Sequence, residues 1–262
     1  MPQNIILTFY FKPLVRHLWG VYMEIIITKN YEEMSKKAAE IIAEGIKANP
    51  EITLGLATGS TPIGMYGELV KKYKDGELDF SKVKSYNLDE YYPLKASNDQ
   101  SYHYFMDKNL FDHINIDKKN THVPNGEVSD AEAECKVYEK AVSDNGYVDI
   151  QVLGIGQNGH IGFNEPDDKL FASTHVTGLT ESTIKANSRF FASEDDVPKK
   201  AITMGIGTIM KAKKILVLAN GKAKHDVISA LLDDMITTAI PVTLLKAHPD
   251  VTVICDEEAY RG

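Results

Sequence analysis

The sequence predicts an α/β protein whose mostly parallel sheet is covered by helices on both faces. Three observations point there. Strand-like and helix-like segments alternate along nearly the whole chain. Most of the strand segments are short unbroken apolar runs, as strands buried on two sides require, rather than apolar/polar alternations. The chain has 262 residues, 43% of them apolar, enough to bury a substantial core.

The first 22 residues stand apart. They are apolar and aromatic, carry Lys12, Arg16 and His17, and hold no acid. Their longest uncharged run is too short to span a bilayer, and neither a leading positive charge nor a small-residue cleavage site marks a signal peptide. We read residues 1–22 as an upstream extension and Met23 as the native start, with residues 23–262 forming a single domain.

Glu24 to Thr28 is the first strand. Tyr31 to Lys47 follows as a helix, with Met34, Ala38, Ile41 and Ile42 at helical spacing and a stop before Asn49-Pro50. Ile52 to Ala57 is a buried strand. Pro62 sits where a helix can begin, and Ile63 to Tyr73 continues it. Val83 to Leu88 is strand-like, and Asp99 to Leu110 and Asp130 to Val142 are helical. Val148 to Leu153 is a buried strand. Ile215 to Ala219 is another, followed by a helix from about Lys222 to Leu232. Val251 to Cys255 is the last strand. No repeat or linker interrupts the series.

A net charge of −8 disfavours a nucleic-acid surface. Cys135 and Cys255 lie far apart and suggest reduced thiols rather than a disulfide framework. The expected setting is the cytoplasm, without a membrane partner.

Chemistry concentrates where apolar strands end. Gly154-Ile155-Gly156-Gln157-Asn158-Gly159-His160-Ile161-Gly162-Phe163-Asn164-Glu165-Pro166 follows a buried strand and places His160 and Glu165 in a Gly-rich loop. Loops at the carboxyl ends of parallel strands are where open α/β sheets hold their ligands. An imidazole can move a proton near neutral pH, and a carboxylate can fix its tautomer. The glycine spacing is not that of a dinucleotide fingerprint.

Ala57-Thr58-Gly59-Ser60-Thr61-Pro62 joins a strand to a helix. Its free N–H groups and hydroxyls suit a phosphate, although an ordinary capped turn uses the same residues. It lacks the lysine of a nucleotide-triphosphate loop. Asn87-Leu88-Asp89-Glu90-Tyr91-Tyr92 ends the third strand and offers a carboxylate as a base at carbon; alone it also fits a solvent-facing strand end. Arg189, within Asn187-Ser188-Arg189-Phe190-Phe191, and Lys224, after a buried strand, are candidate phosphate ligands, although most such cations are simply solvated. The eight histidines show no metal-ligand spacing, and no cofactor is required.

These four segments, in this order, resemble the glucosamine-6-phosphate deaminase family from about Met23 to nearly the C-terminus. The resemblance implies a Rossmann-like fold. It also implies conversion of D-glucosamine 6-phosphate and water to D-fructose 6-phosphate and ammonia, without redox cofactor or catalytic metal. It assigns Asp89 as the base between C2 and C1, His160 as the ring-opening residue and Glu165 as its partner. It assigns Gly59, Ser60, Thr61, Arg189 and Lys224 to the phosphate. Lys224 is preferred to Lys222 because its distance to His248-Pro249 fits the family better.

Asn158 stands where hexameric members often carry Asp. It can orient the imidazole but brings no charge, so the relay rests on Glu165. After the catalytic loop, Asp167 and Asp168 replace the basic residues that bind the activator N-acetylglucosamine 6-phosphate in allosteric members. We therefore expect hyperbolic kinetics and a monomer or small homo-oligomer. Deamination of galactosamine 6-phosphate, lactone hydrolysis and non-catalytic sugar-phosphate sensing remain as alternatives.

Overall fold

Fixing this chain's backbone takes local signals that agree with the apolar pattern. The computed structural model describes residues 14–18, 21–180, 184, 191, 193 and 197–262. Its strands and helices run in the order β1 (Leu14–Leu18), β2 (Val21–Thr28), α1 (Tyr31–Ala48), β3 (Thr53–Leu56), α2 (Ile63–Lys74), β4 (Lys84–Asn87) and β5 (Asp89–Tyr92). Next come α3 (Tyr102–Asn109), β6 (Thr121–His122), α4 (Ala131–Asp144), β7 (Ile150–Gly154), β8 (His175–Gly178) and β9 (Lys200–Thr203). The described chain closes with α5 (Ile206–Ile209), β10 (Lys214–Ala219), α6 (His225–Leu232), β11 (Asp250–Asp256) and α7 (Glu257–Arg261).

Caps start the long helices as the residue types dictate. The Asn30 side chain accepts the Glu33 N–H at 3.0 Å, and Asp130 accepts that of Ala133 at 3.0 Å. Each satisfies one amide that helix geometry leaves without an internal partner. Helix α1 then buries Met34, Ala38, Ile42 and Ile46 on one stripe.

Eight strands form the main sheet in the order β1-β2-β11-β10-β7-β3-β4-β6. Every neighbouring pair is parallel except β1 with β2. The unbroken apolar runs have their predicted cause. On β10, Ile215, Val217 and Ala219 join one buried cluster with α4, α6 and α7. Leu216 and Leu218 join a second with α1, α2 and α3. Truncating Leu216 to alanine would remove about 2–5 kcal/mol of stability. Cys135 and Cys255 are both buried and free.

Two features depart from the sequence reading. Residues 14–18, read as part of an extension before the first strand, form an antiparallel edge strand against β2, which itself begins at Val21 rather than at Met23. The other departure bears on the site. Asp89 does not end the third strand; it opens a different sheet. The Leu88 N–H still bonds the Leu56 carbonyl at 3.1 Å, while the Leu88 carbonyl accepts the Met204 N–H at 2.8 Å. The chain thus crosses at Leu88 from the main sheet to a three-stranded antiparallel one, β5-β9-β8, where Asp89 pairs with Thr203.

Candidate active site

The glycines of the loop after β7 are there for the histidine. Gly156 accommodates the imidazole directly: a Cβ on it would lie 2.4 Å from Nδ1 and Cε1 of His160. The turn is closed by Gly156 N–H donating to the His160 carbonyl at 2.9 Å. Downstream, Asn164 donates to the carbonyls of Ile161 and Met204, both at 2.9 Å, and the Phe163 N–H donates to Thr203 Oγ1 at 3.1 Å. The loop is thereby fastened to the end of β9.

His160 Nδ1 lies 3.2 Å from Glu165 Oε2, with the imidazole 27% and the carboxylate 12% exposed. When Nδ1–H donates to this carboxylate, Nε2 is left as a proton acceptor, the arrangement needed to take a hydroxyl proton. Asn158 does not orient the ring by touching it, as its position in the sequence suggested. Its Nδ2 donates to the same Glu165 oxygen at 2.6 Å, and its Oδ1 accepts the His160 backbone N–H at 3.2 Å. Asn158 therefore acts on the imidazole through Glu165 and the main chain.

Asp89 is buried beside this loop. Gly162, at φ +58°, lets the backbone turn past it; a Cβ there would stand 2.9 Å from Thr203 Oγ1 and 3.4 Å from Asp89 Oδ2. Burial, and after it the charge of Glu90, pushes the Asp89 carboxyl up to about 8. A carboxylate so destabilised is a strong base for its type.

The anion cradle is built from two more strand ends. Gly59 has φ +92° and open space beside it in the turn before α2. The Tyr31 hydroxyl holds this turn, donating to the Ser60 carbonyl at 3.0 Å and accepting the Gly64 N–H at 2.8 Å. Thr61 Oγ1 donates to Asn220 Oδ1 at 3.1 Å, joining the turn to the end of β10. Just beyond, Asp256 accepts the Gly221 N–H at 3.0 Å on both oxygens and fixes the bend that leads to Lys224. Lys224 Nζ donates to the Ile155 carbonyl at 2.7 Å, and burial lowers its proton affinity. One chain of contacts thus runs from Thr61 through Asn220 and Lys224 to the histidine loop. Arg189 lies outside the described residues.

Sequence reasoning missed Thr203, Asn220 and Asp256. Asn220 and Asp256 close the apolar runs of β10 and β11, and a polar residue at such an end was the available signal. Thr203 carried none. Among the described residues no group of His, Cys, Asp and Glu could hold a metal ion, and no helix is long and apolar enough to cross a membrane.

A strand-end His–carboxylate pair, a buried carboxyl and an adjoining turn of hydroxyls and free amides are the parts an α/β enzyme acting on a small anionic substrate uses. Residues 28–254 match the glucosamine-6-phosphate isomerases/6-phosphogluconolactonase family, to which the chain belongs. It is 61% identical over 239 residues to a glucosamine-6-phosphate deaminase of Clostridium perfringens, covering 91% of this chain and 99% of that one. It is 58% identical over 237 residues to the glucosamine-6-phosphate deaminase of Thermoanaerobacter pseudethanolicus, covering 90% and 94%. A solved monomeric glucosamine-6-phosphate deaminase superposes with a TM-score of 0.88 at 46% identity, covering 90% of this chain and 98% of that one.

Proposed function

We propose that the protein is a glucosamine-6-phosphate deaminase that converts D-glucosamine 6-phosphate and water to D-fructose 6-phosphate and ammonia. The observation that carries this reading is the placement of a buried carboxyl, Asp89, against the same loop that holds the His160–Glu165 pair. Lactone hydrolysis needs no base at C2, so it leaves Asp89 without a task.

In this mechanism the phosphate sits on Gly59, Ser60 and Thr61, with Lys224 and Arg189 as counter-charges. Lys224 exchanges its bond to the Ile155 carbonyl for one to a phosphate oxygen. His160 Nε2 takes the C1 hydroxyl proton and returns it to the ring oxygen, which opens the pyranose. Glu165 stabilises the imidazolium in between, and Asn158 holds Glu165. Asp89 removes the C2 proton while the C1 carbonyl oxygen takes one from the C2 ammonium, giving the neutral enolamine. The carboxyl then delivers its proton to C1, leaving an imine at C2. Water adds there and ammonia departs. The substrate ammonium at C2, placed beside Asp89, favours the ionised carboxyl at the start of the cycle.

The test is ammonia release from D-glucosamine 6-phosphate by purified protein, coupled to detection of fructose 6-phosphate, with galactosamine 6-phosphate alongside. Both products from the gluco substrate alone support the proposal. Ammonia only from the galacto substrate would keep the proton transfers and change the sugar. Silence with both, in folded protein, would overturn it. We further propose that the protein is a monomer or small homo-oligomer with hyperbolic kinetics, in keeping with the acids at Asp167 and Asp168.

A further inference from the structure

We propose that Glu90 is a positioning residue for the reaction, a buried negative charge on the opposite face of β5 that strengthens Asp89 as a base. The proposal rests on the reading of Asp89 as the proton acceptor at C2.

The geometry is that of a two-residue strand step. Successive side chains on β5 point to opposite faces, so Asp89 meets the histidine loop at Gly162 while Glu90 turns toward α3. There Glu90 Oε1 accepts the N–H groups of Tyr91 and Tyr102, both at 2.9 Å, and Oε2 accepts that of His103 at 3.0 Å. Gly126 backs the side chain; a Cβ there would stand 3.3 Å from Glu90 Cγ. Both oxygens are thus occupied by amide donors, an arrangement that suits a carboxylate. Among the described residues the partners that hold it are these three backbone amides.

Burial pushes Glu90 up to about 7, with the three amides opposing. Glu90 and Asp89 are neighbours in the chain and both buried, and the Glu90 charge is, after burial, the cause that raises Asp89. The other titratable groups that sense Asp89 are Tyr102 from α3 and Tyr138 from α4, both neutral in this range because burial raises them. His160 and Glu165 lie on the loop packed against the same strand, and Lys200 pairs with Tyr92 at its far end. Glu90 is thus the anion nearest in sequence to the base and is held by helix-terminal amides.

The experiment compares pH profiles of turnover on D-glucosamine 6-phosphate for the native protein, Glu90→Gln, Glu90→Asp and Asp89→Asn. In Glu90→Gln the acid limb should move down by about one to two pH units, and the plateau should fall about 3- to 10-fold because a weaker base accepts the proton. Glu90→Asp keeps the charge and should keep the limb within about half a unit of native. A native limb in Glu90→Gln, even with lowered kcat, would reduce Glu90 to an anchor for α3 and overturn the proposal. Near-native turnover in Asp89→Asn would instead overturn the reading of the base. If Glu90→Gln does not fold, carboxyl 13C titration of the native protein decides. Titration of Asp89 in two steps coupled to Glu90 supports the proposal, and two independent single-site curves refute it.

Discussion

Replacing Asp89 by asparagine should do opposite things to turnover and to stability, and the second effect should depend on pH. Asp89 is 6% exposed, and its carboxyl is pushed from the ordinary 3.8 up to about 8. Between these values the folded protein keeps a proton that the unfolded chain has released. Stability from this group is therefore present in full below the ordinary value and is lost as pH rises through the folded one. At about 1.4 kcal/mol per pH unit, the loss approaches ~5 kcal/mol by pH 9. The asparagine amide has no proton to lose, but it needs hydrogen-bond partners of its own in a buried place, which offsets part of the gain. A net advantage of about 2–3 kcal/mol at pH 9 corresponds to a Tm higher by about 5–10 °C for a chain of this size. At pH 5 only about 1.6 kcal/mol of that loss has accrued, less than the cost of burying the amide, so the variant should melt a few degrees below the native protein there. Calorimetric melts from pH 5 to 9, run beside turnover assays, read both effects. A Tm difference that stays flat across this range would refute the claim that Asp89 is buried with a raised proton affinity. Turnover should fall by at least about a thousandfold, since the C2 proton loses its acceptor.

Other outcomes follow from the same geometry. Glu165→Gln keeps the shape beside His160 but removes the charge that stabilises an imidazolium, so kcat should drop about 10- to 100-fold with little change in KM, measured by initial rates. Gly156→Ala drives a methyl group into the imidazole; kcat should fall with His160 displaced, and urea melts should show about 1–3 kcal/mol lost. Lys224→Met should raise KM about 10- to 100-fold with a smaller change in kcat, because a desolvated phosphate counter-charge is gone. Asn220→Ala, which releases Thr61, should raise KM by a few-fold only. Added N-acetylglucosamine 6-phosphate should leave the saturation curve hyperbolic and unshifted.

What was legible in the sequence was whatever a local signal determines. The apolar runs located β3, β7, β10 and β11 because strands buried on both faces are mostly apolar, with only Thr53, Gln151 and Thr252 buried among them before the strand ends. Helical apolar spacing located α1, whose start the Asn30 cap fixes. The histidine loop was legible because its glycines, its imidazole and its carboxylate lie within thirteen consecutive residues. The second sheet was not. Its strands β5, β8 and β9 are four residues each, too short to show a period, and β5 pairs with β9 across more than a hundred residues of chain. Asp89 therefore looked like the end of one strand when it begins another. The contact of Asn158 with Glu165 rather than with the imidazole depends on rotamers that spacing does not specify. The links from Asn220 to Thr61 and from Asp256 to Gly221 are long-range and had no local signature.

The two sheets differ in what holds them. Large apolar clusters clasp the main sheet on both faces, whereas among the described residues β5-β9-β8 packs on clusters around Tyr91, Phe163 and Ala201 and around Ala131, Cys135 and Ile202. The histidine loop and the anion cradle spring from the former and the carbon base from the latter. Amide protons of β9 should exchange with solvent through openings that leave β10 and β11 protected. The histidine loop, fastened to β9 through Phe163 and Asn164, should share those openings, while the turn before α2 stays with the main sheet.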